Sequence, residues 1–179
     1  EAWVRYHDGS SWTWEHMALT RARVVAGSGN LRRDMEDLIH GVLTRHRDPD
    51  DLVVAVADMR ERMASEHQTD IVWDVKHLRG GLVDVEFIAQ YLQLRHGHDH
   101  PAILATNTRS ALKQCRDAGL LDTATAGQLI EALDLWQAIQ GKLRLAIAGQ
   151  IGKDWEDQVS RGLQADLAKA GGAVDFAAL

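Results

Sequence analysis

Apolar residues recur at helical spacing along most of the chain. Between residues 31 and 44 they fall on one face of a 3.6-residue period, at Leu31, Met35, Leu38, Ile39 and Val42. Arg45 and Arg47 follow this pattern, and cations suit the negative end of a helix dipole. The pattern predicts a helix over residues 31–44.

Boundary residues support further helices. Pro49, Asp50 and Asp51 form a start signal, because proline fits a first helical turn and acids favour the positive helix end. The helices predicted in this way cover residues 11–26, 31–44, 49–65, 82–96, 107–118, 123–148 and 154–170. Several helices joined by short loops favour an all-α fold, and we expect an antiparallel up-and-down helix bundle.

One segment has the alternation of a strand instead. Near residues 70–76, Ile71, Trp73 and Val75 alternate with Val72, Asp74 and Lys76. Period-two alternation of β-branched and aromatic residues is typical of extended chain. We therefore predict at most one short extended segment, at this position.

Composition narrows the function classes. The 179 residues are 45% hydrophobic and 26% charged, as in ordinary globular domains. A net charge of −6 argues against nucleic-acid binding over the whole surface. No apolar run approaches the roughly 20 residues of a membrane span, and no signal peptide is visible, so we expect a cytoplasmic protein without membrane contact. The single Cys115 lies in a helical pattern and is expected to be buried.

The stretch "VWDVKHLRGGLVDVEF", residues 72–87, has the composition of either a phosphate cradle or a carboxylate metal site. Asp84 and Glu86 are two apart, and on a helix such residues point about 200° apart, so a shared metal ion is not expected. The segment with Gly80 and Gly81 matches neither common glycine-rich phosphate motif. A tight strand-to-helix turn is the structural alternative, with Asp84 and Glu86 favoured by the helix dipole.

The stretch "WTWEHMALTRARVVAG", residues 12–27, is rich in tryptophan and arginine. Arg21 and Arg23 cannot share one helical face, so we expect one to be buried against acids while the other faces outward. A tryptophan-rich helix is more often part of a core than a ligand platform. The functional alternative is that one arginine reaches phosphate oxygens, for which its planar fork is suited.

Other residues are weaker candidates for a functional site. The loop histidines His96, His98 and His100 resemble a metal cluster, but alternating histidines near a proline more often form a polar helix end. Trp136 and Trp155 are expected to be packing residues. We therefore predict no metal site in the chain.

These two stretches together resemble a known family. "WTWEHMALTRARVVAG", followed after about fifty residues by "DVKHLRGGLVDVEFIAQYLQLRHG", is similar to the bacterial bifunctional glutamine synthetase adenylyltransferase/adenylyl-removing enzymes. The resemblance covers about Trp3 to Gly149 and is to the helical domain of the second, C-terminal half.

The resemblance implies a role in nitrogen regulation. Such enzymes transfer AMP from ATP to a tyrosine of glutamine synthetase, and a second head removes it by phosphorolysis, under control of the PII signal protein and glutamine. Their nucleotidyltransferase core carries a G-S-x-x-D-x-D strand that holds Mg²⁺ against ATP, and this sequence contains no such motif. We expect part of a longer enzyme, with no catalytic residue of its own, inactive alone and without bound cofactor.

The resemblance also implies a domain organisation. Residues 1–149 correspond to the helical bundle that follows the core, with residues 1–27 as a candidate for the last element of that core. Residues 150–179 are expected to form a C-terminal helical extension. The expected partners are glutamine synthetase, the PII protein and the nucleotidyltransferase core.

Nine residues match the family's motifs and are candidates for contact with substrate or core. They are Arg21, Arg23, Asp74, Lys76, Arg79, Gly80, Gly81, Asp84 and Glu86. Two function classes remain open from the sequence. The chain either helps to shape a nucleotide and protein-substrate site, or it is an interaction module that docks glutamine synthetase or PII without nucleotide contact.

Overall fold

The computed structural model describes residues 2–147, 149, 151–152 and 154–179. Helices and turns account for this part of the chain, and no strand occurs in it, so the all-α prediction is confirmed. The α-helices are α1 (Ala2–Gly9), α2 (Thr13–Leu19), α3 (Gly29–Leu43), α4 (Pro49–Glu66), α5 (Leu82–His96), α6 (Thr108–Asp117), α7 (Thr123–Ala146), α8 (Trp155–Gln158) and α9 (Arg161–Ala170). Short 3₁₀ turns occupy Pro101–Ile103 and Phe176–Ala178.

The start signals read from the sequence correspond to real helix caps. Asp48 precedes Pro49, and its Oδ1 accepts hydrogen bonds from the backbone N–H groups of Asp50 and Asp51 at 2.9 and 3.0 Å. Asn107 caps α6 in the same way, accepting from Ser110 N at 3.1 Å. Such caps satisfy first-turn donors that have no partner within the helix, which is why these helices begin where they do.

The prediction of a single helix over residues 11–26 is wrong. Helix α2 ends at Leu19, and a separate helix, α1, precedes it. At the end of α2 the Thr20 hydroxyl donates to Met17 O at 2.7 Å, while Arg21 N bonds to Ala18 O at 3.1 Å. These three-residue spacings tighten the last turn and end the α-helical ladder.

The extended segment predicted near residues 70–76 is also wrong, and with it the strand-to-helix turn. Asp74 N bonds to Ile71 O at 3.0 Å and His77 N bonds to Asp74 O at 3.1 Å, so the chain folds into successive turns. Alternating apolar residues form a strand only where a second strand can take up the backbone hydrogen bonds. The described residues provide no such partner strand, and local turns satisfy these backbone groups instead.

The predicted helix over residues 154–170 is divided in two. It forms α8 and α9, because the Ser160 hydroxyl accepts a hydrogen bond from Leu163 N at 3.3 Å and starts a new helix there. The other predicted helices agree with the observed ones to within about two residues at each end.

The chain divides into two compact units, each with its own core. Unit 1 comprises Glu1–Arg62 and Glu86–Gly127, and unit 2 comprises Met63–Val85 and Gln128–Leu179. The unit 1 core contains the buried residues Met17, Leu43, Leu52, Val56 and Leu94. The unit 2 core contains Val75, Ile139, Leu143 and Leu167. The predicted division at residues 149 and 150 stays a prediction.

Among the described residues, no helix is long and apolar enough to cross a membrane. Cys115 is fully buried, as predicted. Burial raises the pKa of its thiol to about 11, so the thiol stays protonated at neutral pH and is a poor nucleophile.

Candidate functional site

The two glycines of the central motif form a tight corner before α5, and each is required for a different reason. Gly80 has φ +80, a conformation that residues with a side chain rarely adopt. A Cβ on Gly81 would lie 2.5 Å from Val75 O and 2.8 Å from Leu78 O, which is too close for any side chain. We call residues 75–84, all in unit 2, the corner.

The backbone N–H groups from Gly80 to Val83 already have partners within the corner. Leu82 N bonds to Val75 O at 2.8 Å, and Val83 N bonds to Lys76 O at 3.1 Å. The Gly81 amide bonds to Leu78 O at 2.9 Å. A helix N-terminus binds an anion through amides that no other group satisfies. These amides are occupied, so the corner is not a phosphate cradle.

Asp84 and Trp136 complete the corner. The carboxylate of Asp84 accepts a hydrogen bond from Gly80 N at 2.5 Å, so an acid in the first turn of α5 holds the residue before the helix. The Trp136 indole donates to Gly80 O at 3.0 Å. Trp136, predicted as a packing residue, thus also fixes the glycine pair through its polar atom.

The two acids of the motif serve different residues, as their helical spacing predicts. Asp84 bonds Gly80, whereas Glu86 forms an ion pair with Arg21 at 2.6 Å within unit 1. No group of three or more metal-ligating side chains occurs among residues 2–147, 149, 151–152 and 154–179. A shared metal ion between Asp84 and Glu86 is therefore not supported.

The arginine pair agrees with the prediction in part: Arg21 pairs with an acid and Arg23 faces out, but Arg21 is not buried. The Arg21 side chain is 47% exposed beside a Glu86 that is 18% exposed. Arg23 is exposed and lines a small apolar pocket of about 250 Å³ with Leu19 and Ile39.

The expectation that the tryptophan-rich stretch of residues 12–27 belongs to a core is wrong for two of its residues. Trp12 and Trp14 are 63% and 48% exposed.

Unit 2 contains a large cleft, which we call the unit 2 cleft. Its volume is about 920 Å³, and it is lined by residues 65–69, 71 and 73–77 together with residues from α7 and the segment after it. Two of the sequence-predicted candidates, Asp74 and Lys76, lie in this lining. The cleft is therefore the place where the motif presents side chains to a cavity.

Asp74 is already engaged inside the cleft. Its Oδ1 accepts from His77 N at 3.4 Å and lies 3.1 Å from His77 Nδ1. The His77 ring stacks on His67 with 4.1 Å between ring centroids. Asp74 therefore contacts one member of a stacked pair of imidazoles.

Two cations of the cleft are not engaged. Lys76 is partly buried and Arg144 is exposed, and neither side chain has a hydrogen-bond or ion-pair partner within the described part of the chain. Sequence reasoning found Lys76 through its motif and missed Arg144. Arg144 lies inside the long helix α7 with no motif around it, so only the fold places it beside the motif residues.

The remaining candidates lie elsewhere. Arg79 is exposed and takes part in an interaction with other described residues. Of the loop histidines, His98 has Nδ1 3.0 Å from Thr44 O, and the pKa of His96 is lowered by burial and by Arg95. These contacts agree with a polar helix end.

A serine–histidine pair in unit 1 resembles a catalytic dyad, but its geometry excludes that role. Ser11 Oγ lies 2.7 Å from His16 Nε2, and His16 Nδ1 lies 3.5 Å from Arg47 Nη2. Arginine only donates, so the Arg47 contact favours the tautomer of His16 that carries its proton on Nε2 and donates to Ser11. Burial and Arg47 lower the pKa of His16 to about 4. Ser11 is thus not activated as a nucleophile.

Comparison with known proteins identifies the class of protein. The family model described as GlnD PII-uridylyltransferase matches residues 53–177, which is more than half of the chain. That match includes the corner, the unit 2 cleft and helix α9. The chain therefore belongs to this family.

Curated relatives carry a more specific name. A protein of Rhodopseudomonas palustris (strain ATCC BAA-98 / CGA009) is 42% identical over 179 residues, 100% of this chain and 18% of its own length. One from Bradyrhizobium sp. (strain BTAi1 / ATCC BAA-1182) is 41% identical over 179 residues, again 100% of this chain and 18% of the relative. One from Xanthobacter autotrophicus (strain ATCC BAA-1158 / Py2) is 40% identical over 178 residues, 99% of this chain and 18% of the relative.

All three are named bifunctional glutamine synthetase adenylyltransferase/adenylyl-removing enzyme. The resemblance read from the two motifs is thereby confirmed. The chain spans 18% of the length of these relatives.

Proposed function

We propose that the chain is the helical domain from the C-terminal, adenylylating half of a glutamine synthetase adenylyltransferase. The whole enzyme transfers AMP from ATP to a tyrosine of glutamine synthetase and removes it by phosphorolysis, and so regulates nitrogen assimilation. The observation that carries this proposal is a match over the full chain, at 42% identity, to a protein of that name. The antiparallel arrangement of the helices and a cytoplasmic location are parts of the proposal.

The catalytic chemistry is assigned to a nucleotidyltransferase core outside this chain. In this proposal the core holds Mg²⁺ and carries out the transfer of AMP from ATP. The chain on its own is then inactive. Its partners in this account are that core, glutamine synthetase and the PII signal protein.

The candidate residues take different parts in this proposal. Gly80, Gly81 and Asp84 shape the corner, because their contacts are internal to it. Arg21 and Glu86 hold the segment after α2 against α5 in unit 1. Lys76 is the candidate for contact with substrate, because its ammonium group faces a cleft without a carboxylate partner.

Label transfer from ATP to purified glutamine synthetase tests the proposal. We expect the 179-residue chain alone to transfer no AMP, whereas the longer enzyme that contains it transfers AMP. Deleting the chain from that longer enzyme should abolish transfer. Detectable transfer by the chain alone, or unchanged transfer after its deletion from a folded enzyme, would contradict the proposal.

The alternative is an interaction module without nucleotide contact, and one observation favours it. Tyr6, Trp12 and Trp14, all in unit 1, are 43%, 63% and 48% exposed. Exposed aromatic residues are typical of protein contact surfaces. In this case Trp14→Ala should weaken binding of glutamine synthetase or PII in a pull-down, while Lys76→Ala leaves AMP transfer by the longer enzyme unchanged.

A further inference from the structure

We infer that the unit 2 cleft binds the phosphate groups of a small phosphate-bearing molecule, and that Arg144 and Lys76 are its contacts. This inference rests on the proposed function, because it names a ligand class for the cleft that Lys76 lines. It also adds Arg144, a residue that no sequence motif marks.

Two cationic side chains of the lining are available to an anion. Lys76 and Arg144 are the two basic side chains of the cleft, apart from its histidines, and neither has a partner in the described ranges. The lining contains two carboxylates, Glu66 and Asp74. The formal charges of these four side chains balance, and Asp74 is engaged by the backbone and ring of His77, so the contacts for an anion are the unpaired Lys76 and Arg144.

Shape and surface also fit a small molecule. A volume of about 920 Å³ lies within the range of about 300–1,000 Å³ that is usual for ligand pockets. Val75 and Leu143 are each 5% exposed and form part of an apolar floor beside the polar lining. An apolar surface with a few charged groups can hold the body of a ligand while the cations hold its anionic part.

We assign this recognition to side chains, because the amides at the start of α5 are occupied. The amides of the corner from Gly80 to Val83 bond to groups within it, so none is available to an oxyanion. An arginine fork and a lysine ammonium are the side chains best suited to phosphate oxygens. Lys142 offers a matched control, since it lies on the same helix α7, pairs with Asp166 at 3.9 Å and does not line the cleft.

A titration of the 179-residue chain followed by heteronuclear NMR tests the inference. The probes are sodium triphosphate, ATP and adenosine, each added at low and at high salt. We expect triphosphate and ATP to shift the amide signals of cleft residues, with weaker binding at high salt because charge screening weakens ion contacts. Tighter binding of ATP than of triphosphate identifies a nucleotide, and equal binding identifies the phosphate groups alone as the ligand.

Three variants distinguish binding in the cleft from nonspecific attraction of the anion to positive charge. Arg144→Ala and Lys76→Ala should each weaken triphosphate binding about tenfold, since a hydrogen bond to a charged group contributes that much. Lys142→Ala should change it by less than about twofold. No binding by wild type, equal weakening in all three variants, or adenosine binding as tightly as ATP would overturn the inference.

The inference and the proposed function fail in different ways. If the chain binds no triphosphate but its deletion still abolishes AMP transfer by the longer enzyme, the cleft inference is wrong and the proposed function stands. If triphosphate binds in the cleft but the deletion leaves AMP transfer intact, the proposed function is wrong and the binding site stands.

Discussion

The corner and the unit 2 cleft share residues 75–77 but differ in whether their polar groups have hydrogen-bond or ion-pair partners. In the corner the amides from Gly80 to Val83 and the Asp84 carboxylate form internal hydrogen bonds. In the cleft Lys76 and Arg144 have no partner among the described residues. The two regions show that residues of one motif can differ in this way. Gly80, Gly81 and Asp84 shape the backbone, while Lys76 has no partner in the described ranges and is the residue for which we propose ligand contact.

Gly81→Ala should break the corner most severely. Its Cβ would meet Val75 O at 2.5 Å, and a backbone oxygen cannot rotate away. We expect a loss of about 3 kcal/mol in the free energy of unfolding, measured by urea denaturation. Gly141→Ala is the control, since a Cβ there meets nothing within 4 Å and helix propensity favours alanine. Equal stability of the two variants would refute the steric role of Gly81.

Gly80→Ala should cost less, because the added Cβ meets nothing within 4 Å. The cost arises from the backbone alone, since φ +80 is strained for alanine. We expect a loss of about 1 kcal/mol in the free energy of unfolding, again measured by urea denaturation. A loss as large as that of Gly81→Ala would show that the two glycines do not act by separate mechanisms.

Trp136→Phe should have an effect of about 1 kcal/mol or less on the free energy of unfolding. It keeps an aromatic ring but removes the indole donor to Gly80 O at 3.0 Å. Thermal denaturation followed by circular dichroism measures the change. No loss of stability would mean that the hydrogen bond contributes nothing to the corner beyond the packing of the ring.

Lys76→Ala should have the smallest effect on stability. Its side chain has no partner in the described part of the chain, so we expect a change within about 0.5 kcal/mol. Urea denaturation measures it beside Gly81→Ala. A loss of several kcal/mol in the free energy of unfolding would show that Lys76 stabilises the corner and is not simply an unpaired side chain of the cleft.

Local sequence signals predicted much of the fold. Helix α4 begins where Pro49 and its acids indicate, and α5 occupies Leu82–His96 as its apolar spacing predicts. The turns at residues 71–77 could not be predicted by alternation, since that pattern does not show whether a partner strand exists. The end of α2 depends on the Thr20 hydroxyl bonding to Met17 O, a local competition that apolar periodicity does not reveal.

The candidate site was predictable only in part. Helical spacing correctly separated Asp84 from Glu86, and motif matching found Lys76. Arg144 comes from a helix more than sixty residues further along the chain, and only folding brings it to the same cleft as Lys76. The hydrogen bonds of the corner could not be predicted either, because they depend on the positions of backbone carbonyl groups. A pattern of side chains does not give those positions.

AMP transfer to glutamine synthetase by the longer enzyme tests the central claim most directly, with Lys76→Ala compared against Lys142→Ala. The account predicts that Lys76→Ala lowers the rate about tenfold while the protein remains folded, and that Lys142→Ala leaves it unchanged. Equal rates for the two variants would contradict the claim that the motif lysine in the cleft contacts substrate.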